Sequence, residues 1–525
     1  MDHLVIAPII LPLLVGTLMV LLTDRRELKA LLGLASTAGL VVLSVTLLLM
    51  ADGEGGAGEV RLYRLGDWPA AFGIVLVLDR LSALMLVLSA VLGFAALLFS
   101  LARWQHAGAH FHPLFQFQLM GLNGAFLTGD LFNLFVFFEV MLAASYGLAL
   151  HGSGSARVRA GLHYIAINLA ASLLFLVGVS MIYGLAGTLN MADLAARIPD
   201  LSPADRGLFE AGAAILGVAF LVKAGMWPLG FWLPTTYAAA STPAAAILSI
   251  LSKVGIYAVL RLWLLLFGDG AGESAGFGGM ALVAGGLLTI AFGSIAVLAT
   301  QNMPRLAGAC VLVSSGTLLA AVGAGQVAVT GGALFYLASS ILGIGAFFLL
   351  IELVERGREA GADVLAVTRE AFGEIEEEDL EEEEVGVAIP ATIALLGVSF
   401  FMCALVLAGL PPLSGFLAKF AMLAPLFAPD AAAPGVPLLS WLLLAALMLS
   451  GLAIIVAMVR AGIDAFWVTS GGPVPRVRVV EMAPVGLLLL LCLAMTVQAG
   501  PVLAYMQATA EALHAPAAYL RAVAP

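Results

Sequence analysis

Along the chain, apolar stretches of helix-spanning length alternate with short polar breaks. Fourteen can be counted, near 4–23, 27–50, 74–102, 112–128, 130–150, 157–187, 207–238, 242–267, 277–298, 305–325, 331–355, 388–428, 437–462 and 481–506. A hydrocarbon core takes roughly 20 residues of helix to cross, and backbone groups in lipid must pair within their own segment, so each stretch predicts a spanning helix. The fold class is therefore an all-α integral membrane protein of about 14 transmembrane helices. Two stretches, 207–238 and 388–428, are longer than a simple span and carry Pro and Gly inside, which predicts helices broken in mid-course. The first break falls in WPLGFWLP (227–234) and the second in LPPLSGFLAKF (410–420). Interrupted helices in matching places predict two inverted five-helix repeats with a site between the breaks, near the membrane midplane. The chain then divides into three N-terminal helices (1–111), a first repeat (112–268), a second repeat (276–462), and a last helix with its C-terminal tail (463–525).

Composition agrees: 62% of the 525 residues are apolar and 11% are charged. Soluble domains do not have that balance, and the chain has no basic surface suited to nucleic acid. The first stretch, 4–22, lacks a basic leader and a small-residue cleavage site, so it is expected to be a retained helix. Cys310, Cys403 and Cys492 stand singly in apolar runs, which predicts core residues with no disulfide or zinc. The net charge of −11 comes mostly from nine acids in EIEEEDLEEEE (374–384). That run belongs to a cytoplasmic insert (356–387) expected to be solvated. With both termini outside, thirteen Lys and Arg fall in inner loops (among them Arg25, Arg103, Arg157, Arg305 and Arg460) and six in outer ones. This is the positive-inside pattern expected of a bacterial inner membrane. No GxxxxGK[ST] occurs and GIG (343–345) has no strand before it, so no nucleotide and no cofactor is expected. Energy must come from an ion gradient or a partner subunit.

Against this background a few charges are out of place. Of four lysines, Lys223, Lys253 and Lys419 lie in the apolar segments FLVKAGMW, ILSILSKVGIY and GFLAKFAML, and only Lys29 is expected in a loop. Each costs about 2.5–3.5 kcal/mol at a helix centre on insertion scales. Lysine, unlike arginine, can give up its proton when buried, so a relay of protons is the natural use. Glu139, in LFNLFVFFEVMLAASY, has only Phe135, Val136, Leu142 and Ala143 one turn away, so its partner must come from another helix. Lys223, just before a Pro break, is the expected partner. Loss of solvent and mutual attraction act in opposite senses on such a pair, so a change in their separation would move a proton; the plainer alternative is a static ion pair between helices. Asp130, in TGDLFN, is expected to cap a helix, with ion entry as a second use. Arg261 is expected to snorkel toward the outer surface. His106, His110 and His112 have a spacing that could hold metal, yet no acid or cysteine lies near, so no metal is expected. His163 is a possible relay.

The stretches TGDLFNLFVFFEVMLAASYGL, PLGFWLPTTYAAASTPAAAILSILSKVGIYAVLR and LAGLPPLSGFLAKF resemble the antiporter-like subunits shared by respiratory complex I, membrane-bound hydrogenases and the multi-subunit Mrp cation/proton antiporters. The similarity is greatest to the D subunit of the Mrp type, and ERGREAGADVLAVTREAFG resembles its Pha-type potassium/proton subgroup. The resemblance implies that Glu139 and Lys223 act as a pair, that Lys253 is the central lysine, and that Lys419 is the lysine of the second broken helix. Many relatives have a His and a Lys in the eleventh helix where YLASSILGIGAFF here has Ser339 and Ile344, so Ser339, Ser340 and water are the expected stepping stones. The implied function is proton conduction within a K+ or Na+/proton antiporter complex, a secondary transporter subunit and not an enzyme. The alternatives are a proton-pumping subunit of a redox-driven complex and a non-conducting scaffold.

Overall fold

The computed structural model describes residues 2–22, 25–68, 73–104, 108, 110–152, 154–372, 391–428, 436–467 and 477–523. Its helices begin with α1 (Ala7–Leu21), α2 (Arg26–Asp52), α3 (Arg80–Ser100), α4 (Phe111–Leu127), α5 (Leu131–Ala149), α6 (Ser155–Ala186) and α7 (Met191–Arg197). Next come α8 (Pro203–Ala224), α9 (Trp232–Ala239), α10 (Thr242–Leu248), α11 (Leu251–Phe267), α12 (Gly279–Ala299), α13 (Met303–Gly323) and α14 (Val327–Phe372). The chain ends with α15 (Ala391–Ala408), α16 (Ser414–Leu423), α17 (Leu438–Phe466), α18 (Val479–Val497), α19 (Ala499–His514) and α20 (Ala517–Val523). Among the described residues, 12 spans are long and apolar enough to cross a membrane. Of the fourteen expected, α1 and α4 are shorter, at 15 and 17 residues. The chain is a multi-pass membrane protein.

Three boundaries differ from expectation. Residues 75–78 form a strand, β2 (Val75–Leu78), antiparallel to β1 (Arg61–Arg64), so the helix expected over 74–102 starts only at Arg80. The reason is local: the Asp79 carboxylate accepts the Ser82 N–H while the Ser82 hydroxyl accepts the Asp79 N–H, a reciprocal cap that fixes where the helix begins. The stretch 481–506 is divided into α18 and α19 around Gln498. Finally, α14 runs on past Arg356 to Phe372, so the front of the expected insert continues a spanning helix. The acidic run lies outside the described residues.

Both long stretches are broken as expected, and the order of elements repeats. The series α4, α5, α6, broken α8/α9, and α10 with α11 is followed by α12, α13, α14, broken α15/α16, and α17. Equivalent helices are five spans apart and so run in opposite senses. Helices α10, α11, α13 and the front of α14 are buried along most of their length, whereas α2, α6, α12 and α17 turn Leu, Ile and Val outward. Helices in lipid associate by close packing at small residues. At Gly255 of α11 an added Cβ would lie 2.7 Å from the backbone of Phe220 and Ala224. That approach presses α11 onto the last turn of α8, and so brings the helices of Lys253 and Lys223 together.

Candidate functional site

Each broken helix stops at a glycine in the left-handed region, Gly225 (φ 79°) after α8 and Gly409 (φ 73°) after α15. A side chain there costs roughly 1–2 kcal/mol, and Pro228, Pro411 and Pro412 keep the helix from resuming at once. The stop leaves the last carbonyls without helical partners and makes that end electrically negative. Lysine meets this end in two ways. Lys223 belongs to the last turn of α8 itself. Lys419, on α16 beyond the second break, reaches back and donates to the carbonyl of Ala408, the last residue of α15, at 2.7 Å. A Cβ on Gly409 would fall 2.7 Å from Lys419 Cδ, so this glycine also makes room for the lysine.

Lys253 is 1% exposed. Its Nζ donates to Ser314 Oγ at 2.8 Å and approaches Ser315 Oγ at 3.5 Å, both on α13. Beyond Ser314 a cavity of about 10 Å³ is lined by Cys310, Tyr336, Ser339 and Ser340, which is room for about one water. On its far side Ser339 Oγ lies 2.8 Å from Ser414 Oγ at the start of α16, the helix that carries Lys419. The Ser340 hydroxyl donates to the Leu337 carbonyl within its own helix (3.0 Å), so of the two expected stepping stones Ser339 is the one that bridges helices. Sequence reasoning missed Ser314, Ser315 and Ser414. VSSGT and LSGF look like packing serines until the fold sets Ser314 and Ser315 beside Lys253 and Ser414 against Ser339.

Glu139 and Lys223 are neighbours but do not form the expected ion pair. Lys223 Nζ has no hydrogen-bond partner among the described residues and rests 5.4 Å from the centre of the Phe138 ring. Glu139 instead accepts a hydrogen bond from the Ser172 hydroxyl of α6. The cause is helical geometry: successive residues point about 100° apart. Phe138 is fully buried and faces Phe220 of α8, so Glu139 is turned toward α6 and is only half-buried. Ser172, one hydroxyl in AASLLFLV, gave no signal of its own.

The remaining candidates are not gathered at this site. Asp130 caps α5 as expected, accepting the Asn133 N–H at 2.9 Å. Burial pushes its carboxyl above the usual carboxylate range, against the opposing pull of the Asn133 and Phe132 N–H groups. His163 is exposed on α6, with Nδ1 2.8 Å from the Arg159 carbonyl oxygen, and faces out of the bundle. His106 lies outside the described residues, and His112 is buried at the start of α4. Lys29 is buried in the first turn of α2 and not in a loop. Arg261 does not snorkel. It is buried and bound bidentate to Asp79, with the Tyr257 and Tyr519 rings 5.6 and 5.4 Å away, because α19 and α20 fold back over this end of the bundle.

Broken helices with buried lysines at their stops, repeated in inverted order, are what comparison with known proteins must account for. Residues 128–433 match the model of the family described as NADH:quinone oxidoreductase/Mrp antiporter, TM. The chain belongs to this family. Within it, a Rhizobium meliloti (strain 1021) protein named as the probable D subunit of a K(+)/H(+) antiporter is 62% identical over 520 residues, 98% of this chain and 96% of that protein. The Na(+)/H(+) antiporter D subunit of Bacillus subtilis (strain 168) is 33% identical over 529 residues, covering 100% and 99%. A chain in the structure of the Mrp complex from Dietzia sp. DQ12-45-1b is similar in fold, with a TM-score of 0.83 at 25% identity, covering 100% of this chain and 99% of that one.

Proposed function

We propose that this chain is the proton-conducting subunit of a multi-subunit monovalent cation/proton antiporter, held in a bacterial inner membrane with both termini outside. The observation that carries the reading is the polar line from the first repeat into the second: Lys253 to Ser314, a space for about one water, then Ser339 to Ser414 on α16, the helix that also carries Lys419. Each hydroxyl both donates and accepts, so a proton released by Lys253 can be passed along this line to α16, where Lys419 is the next group able to hold it. Glu139 and Lys223 act as the gate. With Lys223 unpaired over Phe138 and Glu139 held by Ser172, the two are apart, and bringing them together changes which of them holds the proton. K+ is the cation we assign, because the relative 62% identical to this chain is named as part of a K(+)/H(+) antiporter. That name also favours an antiporter over a redox-driven complex.

The test is exchange by the assembled complex in vesicles, comparing Lys253→Ala and Lys419→Ala with the unaltered chain. Loss of K+-driven proton movement with normal assembly supports conduction. Normal exchange in both variants overturns it, and loss of assembly in both favours a scaffold in which the lysines only join helices.

A further inference from the structure

The two broken helices stop alike but are held differently. After Gly225 the Met226 N–H donates back to the Leu221 carbonyl at 3.0 Å, and after Gly409 the Leu410 N–H donates back to the Leu405 carbonyl at 3.0 Å. The next residue is Trp227 at the first break and Pro411 at the second. Proline carries no N–H, so at this position only the first break presents a further backbone donor, and the helix that has just ended cannot satisfy it. That donor is met from the other repeat: the Trp227 N–H donates to Thr289 Oγ1 of α12 at 2.9 Å.

Thr289 is fully buried. Its hydroxyl donates to the Gly285 carbonyl at 2.6 Å, so the hydrogen is committed to its own helix and the oxygen is left to accept from Trp227. One turn back, Met226 Sδ occupies the place where a Cβ on Gly285 would stand. Helix α12 in turn meets α13 almost backbone to backbone: a Cβ on Gly316 would lie 2.7 Å from the Gly286 carbonyl oxygen and 2.9 Å from Thr289 Cβ, and one on Gly286 would lie 2.5 Å from the Ala320 nitrogen. Small residues permit such an approach in lipid, and interiors packed this closely transmit a displacement. Gly316 directly follows Ser314 and Ser315, the two hydroxyls at Lys253 Nζ. Close contacts therefore run from the first break, through Thr289, to the residues that hold Lys253.

We propose that Thr289 is a positioning residue that fixes the first break, and with it the last turn of α8 that bears Lys223, against the α12 and α13 pair whose serines hold Lys253. While the bond stands, a shift of Lys223 toward Glu139 must carry α12 with it or break the Trp227 to Thr289 contact. The first break thus moves as one piece with the serines at Lys253, whereas the second break has proline where such a tie would attach. The inference rests on the proton-conducting reading.

Thr289→Val keeps the shape of the side chain and removes the acceptor, while Thr289→Ser keeps the hydroxyl and gives up a methyl group. Between Gly225 and Leu229 the only backbone N–H groups are those of Met226 and Trp227, so hydrogen exchange of this segment in the assembled complex, followed by mass spectrometry, reads the bond directly. Exchange is expected to be faster in Thr289→Val and unchanged in Thr289→Ser. In vesicles, Thr289→Val should lower the maximal rate of K+-driven proton movement about tenfold, the equivalent of ~1.4 kcal/mol in barrier height, with the half-saturating K+ concentration unchanged. Thr289→Ser should run at the unaltered rate whatever it costs in melting temperature. If Thr289→Val does not assemble, Trp227→Pro removes the donor instead, and Trp227→Ala, which keeps it, is the control; equal rates in that pair count against the tie. Unchanged hydrogen exchange or an unchanged rate in Thr289→Val, or rates that follow melting temperature alone, overturns the proposal. The two readings fail differently: if Lys253→Ala and Lys419→Ala stop exchange but Thr289→Val does not slow it, only the tie is wrong. If both lysine variants conduct normally, the conduction reading falls, whatever hydrogen exchange at Trp227 shows.

Discussion

At the scale of single residues, the site depends on where a side chain points more than on where it lies in sequence. Phe138 and Glu139 are adjacent, yet one meets Lys223 and the other meets Ser172. Glu139→Gln keeps an acceptor for the Ser172 hydroxyl but removes the charge, so exchange should be lost while the complex still assembles, which native gels and vesicle assays together will show. Ser172→Ala removes a hydrogen bond to a charged group, worth about 1.5–3 kcal/mol, and frees the carboxylate to approach Lys223. Its expected effect is a changed exchange rate at unchanged assembly, and an unaltered rate would remove Ser172 from the gate. Sequence located Glu139 and the three lysines because charge in an apolar run is conspicuous. Ser172, Ser314 and Ser414 were illegible because a serine in a membrane helix most often bonds to its own backbone.

At the scale of elements, the two breaks place positive charge at the negative ends of half-helices, and glycine permits both the turn and the approach. Gly409→Ala meets a left-handed φ and a Lys419 side chain 2.7 Å away. The expected cost is roughly 1–2 kcal/mol of stability for the backbone, seen by thermal denaturation, together with a displaced Lys419 and slowed exchange. Pro and Gly punctuation made both breaks legible in sequence. The strand at 75–78 was missed because its apolar residues run straight into those of α3, and only the Asp79–Ser82 cap separates them.

At the scale of the whole molecule, its two ends are fastened by buried charge. At one end Arg261 of α11, the helix of Lys253, is held by Asp79, with Tyr519 of the C-terminal α20 against it. At the other end Trp104 and Arg356 both donate to Glu352, at 2.7 and 2.5 Å, and Arg356 also reaches Glu481 of α18 at 2.6 Å. Asp79→Ala leaves a buried guanidinium unpaired, a loss of about 3–5 kcal/mol, measurable as a lower melting temperature of the purified complex. Burial alone would raise the Asp79 carboxyl, but Arg261 and Ser82 outweigh it and hold it below the ordinary value of 3.8. A depressed carboxyl contributes stability above its unfolded value that is lost as pH falls through the folded one. The Asp79–Arg261 clasp should therefore be insensitive to pH near neutrality and weaken only in acid below about 3.8, an effect that Asp79→Ala should abolish.

The sequence by itself determined a polytopic helical membrane protein, its two broken helices and four intramembrane charges. Those features are local: the length of an apolar run, the punctuation of Pro and Gly, and the cost of a charge in lipid all act within about 20 residues. Only the tertiary structure decided which groups those charges touch. Lys253 meets serines 61 and 62 residues away, and Ser339 meets one 75 residues away. Lys223 and Glu139, expected as partners, are turned apart by one residue's rotation about a helix. Partnership in a bundle is set by helix rotation and close packing, and neither is written in the hydropathy of any single segment.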